Sequence, residues 1–195
     1  SLPMAKEAES IPAETAVAGP ECSDFVTPEK IGQEDFEQFA IAEKLQNHQF
    51  QEKRSDGHLA CWYQRVIEEA IVEGDHLFYV FDLGTGALVR KQVWWRSDLG
   101  EHLPSPLRTR QDAEAMVEGE AYNSMLVIIH PDTDTFRDLK SSPEDSDTVL
   151  TTKPTSENPC WVVLTYVGSG DGDRDKQLTV IDAVTGSTLG HKNVQ

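Results

Sequence analysis

Phe78-Tyr79-Val80-Phe81-Asp82-Leu83-Gly84-Thr85-Gly86 is the stretch that decides the fold, because it has a counterpart about a hundred residues later. The counterpart reads Leu178-Thr179-Val180-Ile181-Asp182-Ala183-Val184-Thr185-Gly186. A Cys-Trp dipeptide precedes each copy, Cys61-Trp62 in the first and Cys160-Trp161 in the second. Self-similarity at a long period indicates a duplicated folding unit. We therefore predict two similar units, with Trp62 and Trp161 at matching positions.

The predicted elements follow the same order in both units. Good helix formers with apolar residues on one side predict a helix over Gln33 to Gln46 and another over Thr109 to Glu118. The apolar and β-branched runs His76 to Asp82 and Gln177 to Asp182 predict strands. The predicted fold class is therefore α+β, with two similar units that each consist of a helix packed on an antiparallel β-sheet.

Residues 59–73 allow two interpretations. Their apolar side chains fall on one face of a helix, whereas the matching stretch Cys160 to Val167 is β-branched and aromatic. We follow the second copy and predict a strand. The predicted domains are a flexible acidic leader with Ala and Pro at 1–26, a first unit at 27–100, and a second unit at 101–195 that carries an inserted hairpin.

The strand that ends in Asp-x-x-Thr-Gly resembles the PepSY domain, which occurs in propeptides of secreted peptidases and in many exported proteins. Residues 78–88 and 178–186 carry this resemblance, and two such units would cover about residues 28–190. In the first copy, Leu83 and Gly84 depart from the usual Asp-Ala-x-Thr-Gly. The resemblance implies a non-catalytic module that restrains a peptidase or binds an extracytoplasmic partner.

The chain is acidic, since 34 Asp and Glu residues against 17 Lys and Arg residues leave a formal net charge of −17. This charge opposes approach to nucleic acid phosphates and to an anionic membrane. No stretch approaches the roughly 18 consecutive apolar residues of a membrane-spanning helix. We therefore predict neither nucleic acid binding nor membrane insertion. The charge itself has two interpretations, namely solubility, or attraction of cations or of a basic partner.

Three cysteines, Cys22, Cys61 and Cys160, cannot all pair within one chain, and none has the C-x-x-C spacing of zinc or redox sites. Since Cys61 and Cys160 hold equivalent places in the two copies, we interpret both as small buried apolar residues. A disulfide between them would need an oxidising compartment. The compartment stays open, because a native start at Met4 would indicate a cytoplasmic protein and the PepSY resemblance favours an extracytoplasmic one.

A cation site is one candidate for chemistry. Asp171, Asp173 and Asp175 alternate in a Gly-rich loop and could supply hard oxygen ligands to calcium. The full EF-hand pattern is absent, and Arg174 and Lys176 would repel a cation. An exposed hairpin turn is the other interpretation of this loop. No further cofactor is predicted.

The tryptophans supply the candidate partner contacts. Adjacent Trp94 and Trp95 on a strand must point to opposite faces, so that one of them lies outside the core and can anchor a partner. Core packing is the expected role of Trp62 and Trp161. Asp82 and Asp182 are interpreted as turn formers, because an Asp side chain can accept hydrogen bonds from the backbone of the turn that follows it.

These patterns favour a non-enzymatic module that binds a protein or peptide through a sheet face or edge, with a peptidase as one candidate partner. No nucleophile elbow, P-loop or dinucleotide fingerprint is present. The first alternative is a calcium-dependent surface module that uses the loop Asp171 to Asp175. The second is a hydrolase whose acid/base pair belongs to the many carboxylates. The oligomeric state is not defined by the sequence.

Overall fold

The computed structural model describes residues 19–45, 50–130, 132–133, 138–140, 159–168 and 175–194. Within these ranges the chain forms four helices and one eight-stranded mixed sheet. The helices are α1 (Cys22–Phe25), α2 (Pro28–Ile31), α3 (Gln33–Leu45) and α4 (Arg110–Glu114). The strands are β1 (Phe50–Ser55), β2 (His58–Ile67), β3 (Ala70–Asp82), β4 (Leu88–Trp94), β5 (Glu120–Ile128), β6 (Cys160–Val167), β7 (Asp175–Asp182) and β8 (Thr188–Val194).

The long strand β3 joins the two halves of the sheet. The strand order is β1-β2-β3-β5-β6-β7-β8, and β4 also pairs with β3. β3 has 13 residues, so that its first part pairs with β5 and its second part pairs with β4. The β3 and β5 strands run parallel, through Ile71 opposite Val127 and Val72 opposite Ile128, whereas the other strand pairs are antiparallel. The sheet is therefore continuous and mixed.

The predicted fold class is wrong. In place of two units that each pack a helix on an antiparallel sheet, the structure has one large mixed sheet and few, mostly short helices. Helices α1 and α2 have 4 residues each and α4 has 5, so that among the described residues α3, with 13, is the one helix of ordinary length. The pairing of β3 with β5 is a long-range contact that leaves no periodic signal in either segment.

The likeness between the two copies is limited to their hairpins. In both turns the Thr amide donates to the Asp Oδ1, at 2.7 Å from Thr85 to Asp82 and at 2.8 Å from Thr185 to Asp182. The preceding strands do not match, because His58 lies opposite Asp82 while Cys160 lies opposite Asp182. Counted from the turn, Cys160 therefore takes the place of His58 and not of Cys61. The prediction of a tandem repeat, with Trp62 and Trp161 at matching positions, is overturned.

Several local elements agree with their patterns. The helix predicted over Gln33 to Gln46 is α3, and the strand interpretation of residues 59–73 is confirmed by β2 and by the start of β3. The helix predicted over Thr109 to Glu118 is shorter, since α4 ends at Glu114. Thr109 caps it by accepting a hydrogen bond from the Asp112 amide at 3.1 Å.

The first hydrophobic core lies between the three N-terminal helices and one face of the β2 to β4 region. Phe25 stacks on Phe81 with a ring-centroid distance of 5.3 Å, and Phe39 meets Tyr63 edge to face at 5.8 Å. Cys22 and Phe25, which lie within the predicted leader 1–26, are buried in this core. Residues 1–18 of the leader lie outside the described part of the chain.

A disulfide fastens α1 to this core. Cys22 and Cys61 are bonded, their Cα atoms are 5.9 Å apart, and they are separated by 39 residues. The interpretation of Cys61 as a plain apolar residue is wrong, although its side chain is buried. Cys160 is a buried thiol, and burial together with the nearby Asp182 raises its pKa to about 12. This thiol is inert near neutral pH.

The second half of the sheet is covered on both sides. Trp161 and Val163 on β6 pack with Ala113 of α4 in a second core. Cys160 and Val162, which alternate with them along the strand, pack in a third core on the opposite side. The third core is closed by Ile129, Leu139 and Leu189.

None of the helices in the described ranges is both long enough and apolar enough to span a membrane.

Candidate binding face

In the part of the chain that the structure describes, no element packs on one side of the first half of the sheet. Because side chains alternate along a strand, the residues that do not face the helices form a second surface. Cross-strand pairing places them side by side, for example Trp62 opposite Phe78 and His76 opposite Trp94. We call this surface the open face, and it consists of Gln51, Lys53, Ser55, His58, Ala60, Trp62, Gln64, His76, Phe78, Val80, Arg90, Gln92 and Trp94.

The centre of the open face is aromatic. The rings of Trp62 and His76 lie with centroids 6.3 Å apart, and the Arg90 guanidinium lies 5.5 Å from the Phe78 centroid. Trp62 and Phe78 are partly exposed, and Trp94 is 59% exposed. Large aromatic surfaces in such a position are typical of interaction sites, because monomeric proteins seldom leave contiguous apolar patches in water.

In the second half of the sheet, the surface that corresponds to the open face is covered. Counted from the turns, Cys160 and Val180 occupy the places of His58 and Val80. Cys160 and Val180 are fully buried beneath Leu139 and its neighbours, whereas Val80 on the open face is partly exposed. Residues around Leu139 thus cover this side of the sheet in the second half. In the first half, no described residue covers it.

Strand β4 is an edge strand beside the open face. Within the described residues it pairs with β3 alone, so that the outer edge of its backbone is not hydrogen-bonded to another strand. Val89 on this strand is 58% exposed. An exposed edge with unpaired N–H and C=O groups is a template for a further strand. The open face and this edge form one continuous surface.

A buried ion cluster holds the end of β4 in place. The Asp75 carboxylate accepts hydrogen bonds from Arg65 Nη1 at 2.9 Å, from the Arg96 amide at 2.9 Å and from Arg96 Nε at 3.2 Å. The Arg65 guanidinium also lies 4.4 Å from the Trp95 ring centroid. This cluster fixes Trp95 on the helix side and thereby directs Trp94 to the open face. The sequence analysis did not identify it, because Arg65, Asp75 and Arg96 show no spacing motif.

The tryptophans divide between core and surface. Trp95 packs against the first core, while Trp94 is exposed, as the alternation of a strand requires. Trp161 is buried in the second core, as expected, and its indole N–H donates to the Arg108 carbonyl at 2.8 Å. The expected core role of Trp62 is wrong, because this side chain lies on the open face. Whether Trp94 or Trp95 contacts a partner stays a prediction.

Two of the three predicted calcium ligands lie outside the described part of the chain. Asp171 and Asp173 lie in 169–174, and Asp175 is the exposed first residue of β7. Within the described ranges, no group of His, Cys, Asp and Glu residues could hold a metal ion. The calcium site therefore stays a prediction.

The Asp residues of the two turns have structural partners. Hydrogen bonds from the backbone and the hydroxyl of Thr85 lower the pKa of Asp82, and the nearby His58 lowers it further. Asp182 Oδ1 accepts from the amides of Val184 and Thr185, each at 2.8 Å. Both residues are turn formers, as their pattern indicates.

Comparison with known proteins finds a likeness among solved structures. No family model matches the chain, and no curated protein matches it. The solved structure of the Bacillus megaterium YpeB C-terminal domain is similar at 12% sequence identity and a TM-score of 0.34, over 91% of this chain and 66% of that one. The chain thus spans less than two thirds of that structure.

Proposed function

We propose that this chain is a non-catalytic module that binds a protein or peptide segment on its open face. The observation that carries the proposal is the aromatic surface formed by the partly exposed Trp62 and Phe78 and the exposed Trp94, on a sheet whose opposite side is a packed core. Rigid Trp anchors contribute much of the binding energy in many interfaces.

The outer edge of β4, with which no described strand pairs, favours an extended partner segment. Such a segment can add to the sheet through main-chain hydrogen bonds, while its alternate side chains contact the surface beside the edge. Trp94 lies at the end of this strand and on the open face, so that it can contact an added strand directly. The proposed occupant is therefore an extended peptide with large apolar side chains at alternate positions.

A peptidase as partner, in an inhibitory or chaperoning role, is supported only by the resemblance of the Asp-x-x-Thr-Gly hairpins to PepSY domains. The calcium-dependent module and the hydrolase remain alternatives from the sequence. Calorimetric titration with calcium chloride tests the first of these, because a site at Asp171, Asp173 and Asp175 requires measurable heat or stabilisation. The absence of both would remove it.

Substitution of Trp94 by alanine should weaken peptide binding by about tenfold or more, because a Trp anchor commonly contributes at least about 2 kcal/mol. Peptides would be selected from a displayed random library on the wild-type protein and titrated by fluorescence anisotropy. The matched control is Met116→Ala, since Met116 is 47% exposed outside the open face. Trp94→Ala should keep the thermal stability nearly unchanged, within about 0.5 kcal/mol, because its side chain is largely exposed.

Selected peptides that bind Trp94→Ala and the wild type equally would contradict the proposal, and so would a library that yields no peptide above background.

A further inference from the structure

A cavity of about 260 Å³ lies on the opposite side of the sheet from the open face. It is formed where α1, the end of α3 and the strands β1 and β2 meet, and Cys22 of the disulfide is part of its wall. The volume is below the roughly 300–1,000 Å³ of pockets for drug-sized ligands, so it fits a small organic group. Nothing in the proposed function uses this cavity.

Three aromatic rings form the inner wall of the cavity. Tyr63 contacts Phe39 edge to face at a centroid distance of 5.8 Å and Phe50 at 5.7 Å. Phe39 and Tyr63 are only 6% and 2% exposed, so that packing holds these rings in position. Aromatic faces carry negative electrostatic potential and attract cations.

Three carboxylates, those of Glu21, Glu43 and Glu52, complete the lining. Glu52 is held in place, because its Oε2 accepts a hydrogen bond from the Cys22 amide at 3.0 Å and its Oε1 pairs with Arg54 at 2.8 Å. No basic side chain belongs to the lining among the described residues. Because Arg54 balances the charge of Glu52, the carboxylates of Glu21 and Glu43 supply the negative charge that favours a positively charged ligand.

The arrangement does not suit a metal ion. In the part of the chain that the structure describes, no group of His, Cys, Asp and Glu is close enough together to hold one, and this includes the three glutamates of the cavity. Their carboxylates therefore surround the cavity without converging on one point. A cation with apolar bulk can contact the rings and the carboxylates at the same time, which a bare metal ion cannot do.

We propose that this cavity binds an alkylammonium group, from a free amine or from a lysine side chain. The formal net charge of −17 supports the assignment, because a strongly negative protein raises the local concentration of cations near its surface. The disulfide keeps α1 against β2 and so maintains the wall to which Cys22 belongs.

Titration with n-butylammonium chloride, followed by chemical shifts of the protein in ¹H–¹⁵N spectra, tests the proposal. n-Butanol is the neutral control of nearly the same shape. We expect n-butylammonium to shift the amides of Cys22 and Glu52 in a saturable way. n-Butanol should bind more weakly, by up to about fivefold for each ion pair that it cannot make, since one exposed ion pair contributes up to about 1 kcal/mol.

Two variants separate the cavity from the general charge of the protein. Glu43→Gln removes a carboxylate of the cavity, and Glu34→Gln removes the same charge from an exposed position of the same helix. Glu43→Gln should weaken n-butylammonium binding by about twofold to fivefold, while Glu34→Gln should leave it unchanged. Phe50→Leu should weaken it by a similar factor through loss of the cation–π contact.

A capped Gly-Lys-Gly peptide distinguishes the two sources of the ammonium group. Saturable binding of both probes assigns the cavity to lysine side chains as well as to free amines, and binding of n-butylammonium alone assigns it to free amines. Equal affinity for n-butylammonium and n-butanol, or equal losses in Glu43→Gln and Glu34→Gln, would overturn the proposal. These results do not depend on Trp94. A negative result for the cavity therefore does not contradict the proposal that the open face binds a peptide.

Discussion

Replacement of Asp75 by alanine should lower the free energy of unfolding by about 3–5 kcal/mol, because it leaves buried guanidinium groups without their counter-charge. The side chains of Asp75, Arg65 and Arg96 are 3%, 8% and 14% exposed. Arg65 Nε and both Nη atoms of Arg96 already have no hydrogen-bond partner among the described residues. Urea unfolding followed by circular dichroism measures the loss.

Lys192→Ala is the control for this prediction. Lys192 pairs with Asp138 at 2.9 Å on the surface, where the two side chains are 36% and 55% exposed. Water screens such a pair, and its loss should cost less than about 1 kcal/mol. If Asp75→Ala cost no more than Lys192→Ala, the cluster would not be the anchor of the β4 end that we describe.

Reduction of the Cys22–Cys61 disulfide should lower the free energy of unfolding by about 4 kcal/mol, which is the chain-entropy estimate for a loop of 39 residues. The crosslink limits the unfolded chain, and in the folded state it keeps α1 with the buried Phe25 on the sheet. Urea unfolding with and without dithiothreitol measures the difference. Burial raises the pKa of Cys160 to about 12 in the folded protein. Unfolding exposes this thiol, so the measurement is made in mildly acidic buffer, where the thiolate that attacks a disulfide is scarce.

The matched control is the double variant Cys22→Ala with Cys61→Ala. Its stability should be that of the reduced wild type, to within about 1 kcal/mol, and should not respond to dithiothreitol. A wild-type protein whose unfolding midpoint does not change on reduction would show that the disulfide does not stabilise the fold.

The hairpins and the long helix could be predicted from the sequence because their signals are local. Alternating apolar residues and the Asp-x-x-Thr-Gly turn define the two hairpins, and α3 begins at the predicted Gln33. The opposite orientation of Trp94 and Trp95 followed from strand geometry alone. Each of these features depends on neighbours within a few residues along the chain.

The features that could not be predicted depend on distant partners. The parallel pairing of β3 with β5 joins residues more than 50 positions apart, for example Ile71 and Val127, and converts two expected units into one sheet. The Cys-Trp dipeptides suggested an equivalence that the strand register does not support. Cys22 was placed in the leader because its partner Cys61 is distant in sequence and could not be identified by spacing.

The open face could be predicted only in part from the sequence. The residues that flank Trp62 in the sequence are those expected around a buried tryptophan, since Trp62 lies in an apolar strand. What sets it apart is the side of the sheet on which the helices pack, and this depends on the position of α1 to α3. The pattern of a strand indicates that two faces exist, and it does not indicate which of them is covered.

The four tryptophan indole signals in a ¹H–¹⁵N spectrum test the binding face most directly. On titration with a selected peptide, the signals of Trp62 and Trp94 should shift or broaden, because both side chains lie on the open face. Those of Trp95 and Trp161 should remain in place, because these residues belong to the packed cores. Shifts confined to Trp95 or Trp161, with Trp62 and Trp94 unchanged, would contradict the account.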